Sequence, residues 1–329
     1  MNFRQLKADA AAAVEQASGA KQVAAIYAGI VLALSALVTV VTFCLDLSIA
    51  QTGGLSNIGT RSVLSTIESI LPMAQTVVFL CLELGFQSAV LRMVRGQYVS
   101  PNSLRLGFAR FWPLMRLTLL QSMLYMGIAF VAVYFSVQIF LLTPFSEEAM
   151  AIATSIAAAG TPMVVDDAVL FAMLPAMLPM IPIFLVIYLA LMLPMHYRLR
   201  MASYVLIDKP RCGALAAMAE SRMMMRGNCL KVLKLDISFW WYYLLSTLAT
   251  AVAYGDVFFA LTGISLPWSE TVSFFLFYAV YLVIQLALFY FFLGRVTAAY
   301  ALTYDVIRPK SVPTQGVVLG NIFDLARDQ

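Results

Sequence analysis

Thr271–Gly294 reads TVSFFLFYAVYLVIQLALFYFFLG, twenty-four residues without a charged side chain, and Arg295 follows at once. At 1.5 Å per residue such a helix crosses the roughly 30 Å hydrocarbon core of a bilayer. Backbone groups in hydrocarbon find no water, so a span of this length must bond within itself as a helix. Upstream, five more apolar runs meet the same length: Val23–Leu45, Ile70–Leu91, Leu117–Phe145, Ala168–Met195 and Ile237–Leu261. The expectation is an all-α polytopic membrane protein with six transmembrane helices.

The polar stretches between these runs carry, in order, 3, 1, 5, 0, 8, 0 and 4 Lys or Arg, so twenty of the 21 basic residues fall on one side. That alternation is the positive-inside pattern, and it predicts both termini in the cytoplasm. Composition agrees: 62% apolar residues, 12% charged residues and a mean hydropathy of +0.88 exclude an ordinary soluble domain. The net charge of +4 does not point to nucleic acid, because the basic residues sit in short loops beside apolar spans. Anionic inner-leaflet headgroups account for them better. Trp112, Trp240 and Trp241 lie near expected inner ends and Trp268 in an outer turn, which are headgroup depths.

The expected organisation is a cytoplasmic amphipathic segment (1–22), a transmembrane domain (23–303) containing a cytoplasmic elbow (196–236), and a cytoplasmic tail (304–329). In the first segment Phe3, Leu6, Ala10, Val14 and Ala17 fall at helical spacing, as in a helix lying on the inner leaflet. In the elbow, Gly213–Arg226 forms about four turns ending at Gly227 as a left-handed cap, with Leu215, Met218 and Met225 on one face. The run KVLKLDISFWW then continues as helix into the fifth span, with Asp236 and Ser238 capping it. An internal echo joins Leu71-Pro72-Met73 and Leu91-Arg92-Met93 to Leu178-Pro179-Met180 and Leu199-Arg200-Met201. A second links Ala202-x-Tyr204-x-Leu206 to Ala298-x-Tyr300-x-Leu302. Repeated units are common in transport folds, and triplets also recur by chance in a Leu-rich chain.

The elbow carries a resemblance. Asp208-Lys209-Pro210 is an acid before proline; Ala217, Ser221, Arg222, Met225 and Gly227 form Ala-x-x-x-Ser-Arg-x-x-Met-x-Gly; Leu235-Asp236-Ile237-Ser238-Phe239-Trp240-Trp241 follows. With Leu6-Lys7-x-x-Ala10 and Thr297–Tyr304 before Asp305, this resembles a family of bacterial multipass proteins, domain of unknown function 975. Asn228-Cys229 departs from it, since a basic residue is usual there. The resemblance implies a six-span bacterial plasma-membrane protein with no assigned activity. It is distantly similar to the membrane domain fused to some glycerophosphodiester phosphodiesterases, whose catalytic barrel has no counterpart here.

Chemistry is sparse. One histidine, His196, stands at a cytoplasmic boundary, and no phosphate loop, dinucleotide fingerprint, CxxC pair or HExxH is present. No catalytic constellation, cofactor or metal site is expected. Cys44, Cys81, Cys212 and Cys229 read as free thiols. Glu147, Glu148, Asp166 and Asp167 read as a solvated acidic outer loop rather than a calcium site. Intramembrane polar residues remain, because a charge in hydrocarbon is costly unless paired or hydrated. Glu83 and Gln87 share a helix face in the second span; Arg116 is placed to reach Glu83 across the hairpin, and Gln285 sits in the sixth span. Asp256 lies near the outer end of the fifth.

Two functions are expected from these features. In the first, a non-catalytic scaffold or accessory subunit docks a membrane or cytoplasmic protein partner, or anionic lipids, through Arg198, Arg200, Ser221, Arg222, Arg226, Lys231 and Lys234. In the second, a transporter or channel for a small solute or lipid uses Glu83, with the proline-bearing second and fourth spans (Pro72, Pro175, Pro179, Pro182) as the moving part.

Overall fold

A computed structural model describes residues 3–51, 58–147, 150–151, 154, 178–209, 211–255, 258–259 and 268–308, and among these every regular element is helical. The chain runs through α1 (Phe3–Gln16), α2 (Ala20–Gln51) and α3 (Ile58–Val94), then a 3₁₀ turn (Pro101–Arg105), α4 (Leu106–Ala109) and α5 (Phe111–Leu141). Beyond residue 177 come α6 (Met180–Leu199), α7 (Ala202–Asp208), α8 (Ala214–Met225), α9 (Cys229–Ser238) and α10 (Trp240–Ala253). The last elements are α11 (Glu270–Leu288), a π-helical turn (Phe289–Leu293) and α12 (Gly294–Ile307). Glu148, Asp166, Asp167, Pro175, Pro210 and Asp256 lie outside the described residues, as does the tail beyond Arg308.

Five stretches are long and apolar enough to cross a membrane: Ala20–Ile49, Ser62–Val94, Phe111–Leu141, Met180–Asp208 and Thr271–Ile307. This is a multi-pass membrane protein. Of the expected fifth span, Ile237–Leu261, the described part is mainly α10, 14 residues or about 21 Å, short of the hydrocarbon thickness by itself.

Four expectations are corrected by packing. The run from Lys231 to Trp241 is not one helix: it breaks at Phe239 (φ −104°, ψ 15°), leaving α9 as a separate surface helix that buries Val232 and Leu235. Asp236 and Ser238 do not cap α10; the Ser238 hydroxyl donates to the Leu235 carbonyl at 2.6 Å, and Asp236 takes partners elsewhere. The apolar face of α1 lies on the protein, not on lipid. Leu6 and Ala10 are buried, Val14 meets Gly294 of α12, and Glu15 pairs with Arg295 at 2.8 Å. In α8, Met218 and Met225 turn inward with Ala217 and Ser221, while Leu215 turns out. Gly227 does take the left-handed conformation (φ +80°), with the Asn228 amide bonded to the Met225 carbonyl.

Antiparallel neighbours pair as α2 with α3, α5 with α6, and α10 with α11. Tyr278 of α11 bonds Ser35 and Thr39 of α2 at 3.0 and 2.9 Å, tying the first and last pairs. The α5–α6 pair joins the rest chiefly through α4, α7, α8 and α9 at the basic end. The core therefore gathers there, around Leu84, Leu91, Met201, Leu206, Leu235 and Tyr304. Phe130, Val186 and Leu37, toward the other end, stay exposed as lipid-facing positions do.

α3 lies against the 3₁₀ turn and α4 at backbone distance. A Cβ on Gly107 would overlap the Cys81 carbonyl, and one on Gly85 would overlap the Leu104 backbone. Small residues allow such approach in membrane helices. Gly107→Ala is expected to destabilise by about 1–3 kcal/mol, the usual cost of overpacking, and to lower the melting temperature in detergent. Gly127→Ala, where an added methyl meets nothing within 4 Å, leaves it unchanged or slightly raised. Equal melting of both variants would contradict the close packing.

Candidate functional site

At the basic end of the bundle five helical segments surround a cavity of about 500 Å³. α3 brings Glu83 and Gln87, one turn apart as their spacing requires. α5 adds Thr118, Gln121 and Tyr125; α6 and α7 add His196, Arg200 and Tyr204; α10 adds Tyr242 and Tyr243. From α12 come Thr297 and Tyr300, just after the π-helical turn. An inserted residue of this kind shifts the register of the helix beyond it, a device often found at functional sites.

Glu83 is exposed into this cavity while its neighbours Leu82, Leu84 and Phe86 are buried. The Gln87 amide donates to Glu83 Oε1 at 3.0 Å, and Gln87 Oε1 is left buried without a partner. Behind the lining residues Arg200 and Tyr300 is a network centred on Asp236. Its carboxylate accepts from Arg200 Nη2 at 3.1 Å, from the Tyr197 hydroxyl at 2.7 Å, and from the Tyr300 hydroxyl. Arg200 also reaches His196 Nε2 at 3.0 Å and stacks over the Tyr300 ring, 4.4 Å from its centroid. The Tyr243 and Tyr300 hydroxyls bond each other at 2.7 Å.

At the C-terminal ends of α3, α7 and α12 lies a second network. Arg95 forks onto Asp305 through Nε and Nη2 and bonds Asp208 with Nη1 at 2.9 Å. Asp208 also takes Arg308 at 2.6 Å and the Tyr304 hydroxyl at 3.1 Å. The hydrogen bonds to Asp305 and Asp208 raise the Arg95 guanidinium further above its ordinary range, so it stays charged. Arg110 donates to the Leu206 and Ile207 carbonyls, satisfying the end of α7; burial and nearby Arg92 pull its affinity for the proton down.

Of the residues singled out from sequence, Glu83 and Gln87 meet at this cavity. Arg116 does not: it is exposed, on another face of α5 from Leu114, Leu117 and Gln121. Gln285 is buried outside the cavity with its Oε1 unpartnered. On the elbow, Arg198, Arg222, Arg226, Lys231 and Lys234 are exposed. Arg200 points inward to Asp236, and Ser221 is fully buried, donating to the Arg198 carbonyl at 2.8 Å. The sequence reading gave Asp236 a capping role and assigned the tyrosines none. The echo could have flagged two of them, since its paired tyrosines, Tyr204 and Tyr300, both line the cavity. The four cysteines are free. Among the described residues no three His, Cys, Asp or Glu side chains gather as metal ligands.

Asp236→Asn strands the mostly buried Arg200 charge. The side chains of the pair keep 21% and 14% of their exposure, so the cost is set at about 2–4 kcal/mol, below the full range for a buried pair. The double variant Arg200→Met, Asp236→Leu is expected to melt above Asp236→Asn; a lower melting temperature would mean the pair stabilises outright.

A family model described as "Protein of unknown function (DUF975)" matches residues 20–298, from the first residue of α2 into α12. No curated protein and no solved structure matches the chain. With most of its length matched, from the first long span to the last, the chain belongs to the DUF975 family.

Proposed function

We propose that this protein binds a small solute or a lipid headgroup in the cavity beside Glu83 and moves or senses it at the cytoplasmic half of a bacterial inner membrane. The frame is six spans with both termini inside, as the distribution of basic residues supports. The observation that carries the reading is the convergence of Glu83 and Gln87 on one side and the Asp236–Arg200–His196 network on the other, around about 500 Å³. Pockets of 300–1,000 Å³ lined by apolar walls with a few directed polar groups are the usual form of small-ligand sites. Polar groups inside a membrane domain are costly and mark ligand or ion paths. The α5–α6 pair, held mainly at one end, is the element free to rock.

Thr118→Trp fills the cavity from α5. Native mass spectrometry in mild detergent is expected to show a bound small molecule or lipid on the wild-type chain and its loss in this variant. Identical spectra would sink the reading.

A second function is favoured by one surface. Arg222, Arg226, Lys231 and Lys234 stand exposed on α8 and after it, interleaved with exposed Met223, Leu230 and Ile237. Basic and apolar side chains mixed on one face suit an anionic headgroup layer or a docked protein. At ~1 kcal/mol per basic residue near an anionic surface, Arg222→Glu with Arg226→Glu is expected to lower phosphatidylglycerol retained on the purified protein several-fold. Unchanged retention argues against this face as a lipid contact.

A further inference from the structure

The ligand chemistry of the cavity can be narrowed, on the footing that the cavity is the binding site proposed above. The donors on its Arg200 side are engaged within the protein. Arg200 gives one nitrogen to Asp236 and another to His196, and its plane covers Tyr300. The Tyr243 and Tyr300 hydroxyls bond each other, Tyr300 also donates to Asp236, and the Tyr204 hydroxyl donates to the Thr297 carbonyl at 3.5 Å. These rings therefore offer the cavity aromatic surface rather than free hydroxyl donors.

Acceptors are left over. Glu83 forms no ion pair among the described residues; the hydrogen bond it takes comes from the neutral Gln87 amide. That bond turns the other end of the amide, Gln87 Oε1, into a buried acceptor with no donor. The positive wall is thus compensated within the protein and the negative wall is not. A ligand that restores balance brings positive charge and N–H or polarised C–H groups. An anion would meet the Glu83 carboxylate, and the Arg200 charge that would draw it is already paired with Asp236. A hard metal ion needs about six oxygens close together, whereas this cavity offers one carboxylate in about 500 Å³. Tyrosine rings around a carboxylate suit an alkylated ammonium, which is attracted to ring faces and sheds water easily.

We propose that the cavity binds an organic ammonium group, carried by a small amine or by a zwitterionic lipid headgroup, with Glu83 as counter-ion and Tyr242, Tyr243 and Tyr300 as its aromatic wall. Titration calorimetry on the full chain in mild detergent, with tetramethylammonium chloride, sodium phosphate and glycerol as probes, tests it. Tetramethylammonium is expected to bind, Glu83→Gln to weaken it about tenfold or more, Tyr243→Phe to keep it, and Tyr243→Leu to weaken it. Glu83→Gln preserves shape, and its melting curve reports whether it folds. In nanodiscs, retention of phosphatidylethanolamine over phosphatidylglycerol, reversed by tetramethylammonium, identifies the lipid source; tetramethylammonium binding without such retention identifies a free amine. Binding that is equal in Glu83→Gln overturns the proposal. Binding of phosphate or glycerol alone, abolished by Thr118→Trp, overturns the ammonium assignment and leaves the cavity as the ligand site. No binding by any probe, with Thr118→Trp also without effect on native mass spectra, removes both.

Discussion

Asp236 holds the basic end of this bundle together. One carboxylate on a short surface helix takes a guanidinium and a phenol from α6 and a second phenol from α12. Three elements distant in sequence are fixed by a single charged group, and each bond is charge-assisted and hence stronger than a neutral one. Ion pairs at this depth rarely add net stability over apolar packing, but they define one arrangement, because a misplaced partner leaves a charge unpaired in low dielectric. The consequence is structural: Arg200 and Tyr300 are held at the rim of the cavity, and the helices that carry them are held apart by the width of that network.

The cavity's other wall is set by small residues. Gly85 lets the 3₁₀ turn after α3 lie against the helix, and Gly107 lets α4 do the same one turn away, by Cys81. α3 is thereby fixed at the centre of the protein, with Glu83 on the face left uncovered. The Arg95–Asp208–Asp305 network then clamps the C-terminal ends of α3, α7 and α12. Rigid contacts at the basic end and lipid-facing helices beyond it place the polar site where the protein is most ordered by its own packing.

The spans with long uncharged runs were legible, because hydrocarbon imposes one rule on every residue and chain length alone meets it. Glu83 and Gln87 were legible for a related reason: a carboxylate in such a run is conspicuous, and i, i+4 spacing puts both on one face. Arg116 misled because hairpin proximity says nothing of rotation about the helix axis; its neighbours Leu114 and Leu117 took the inward positions. Asp236 and Ser238 looked like caps since those residue types favour helix starts, yet long-range partners outcompeted the local ones. The break at Phe239 had no composition signal at all.

Taken one at a time, the segments of the chain establish that it crosses a membrane repeatedly as helices and that its basic residues gather between alternate apolar runs. Those properties are decided by transfer of each segment between water and hydrocarbon. Which polar groups meet is settled at a higher level, by the packing of one helix on another. Arg200 and Asp236 stand 36 residues apart and Asp236 and Tyr300 stand 64 apart. Whether such groups face each other, the lipid or the cytoplasm depends on helix rotation and crossing, which packing between segments sets and no segment records alone.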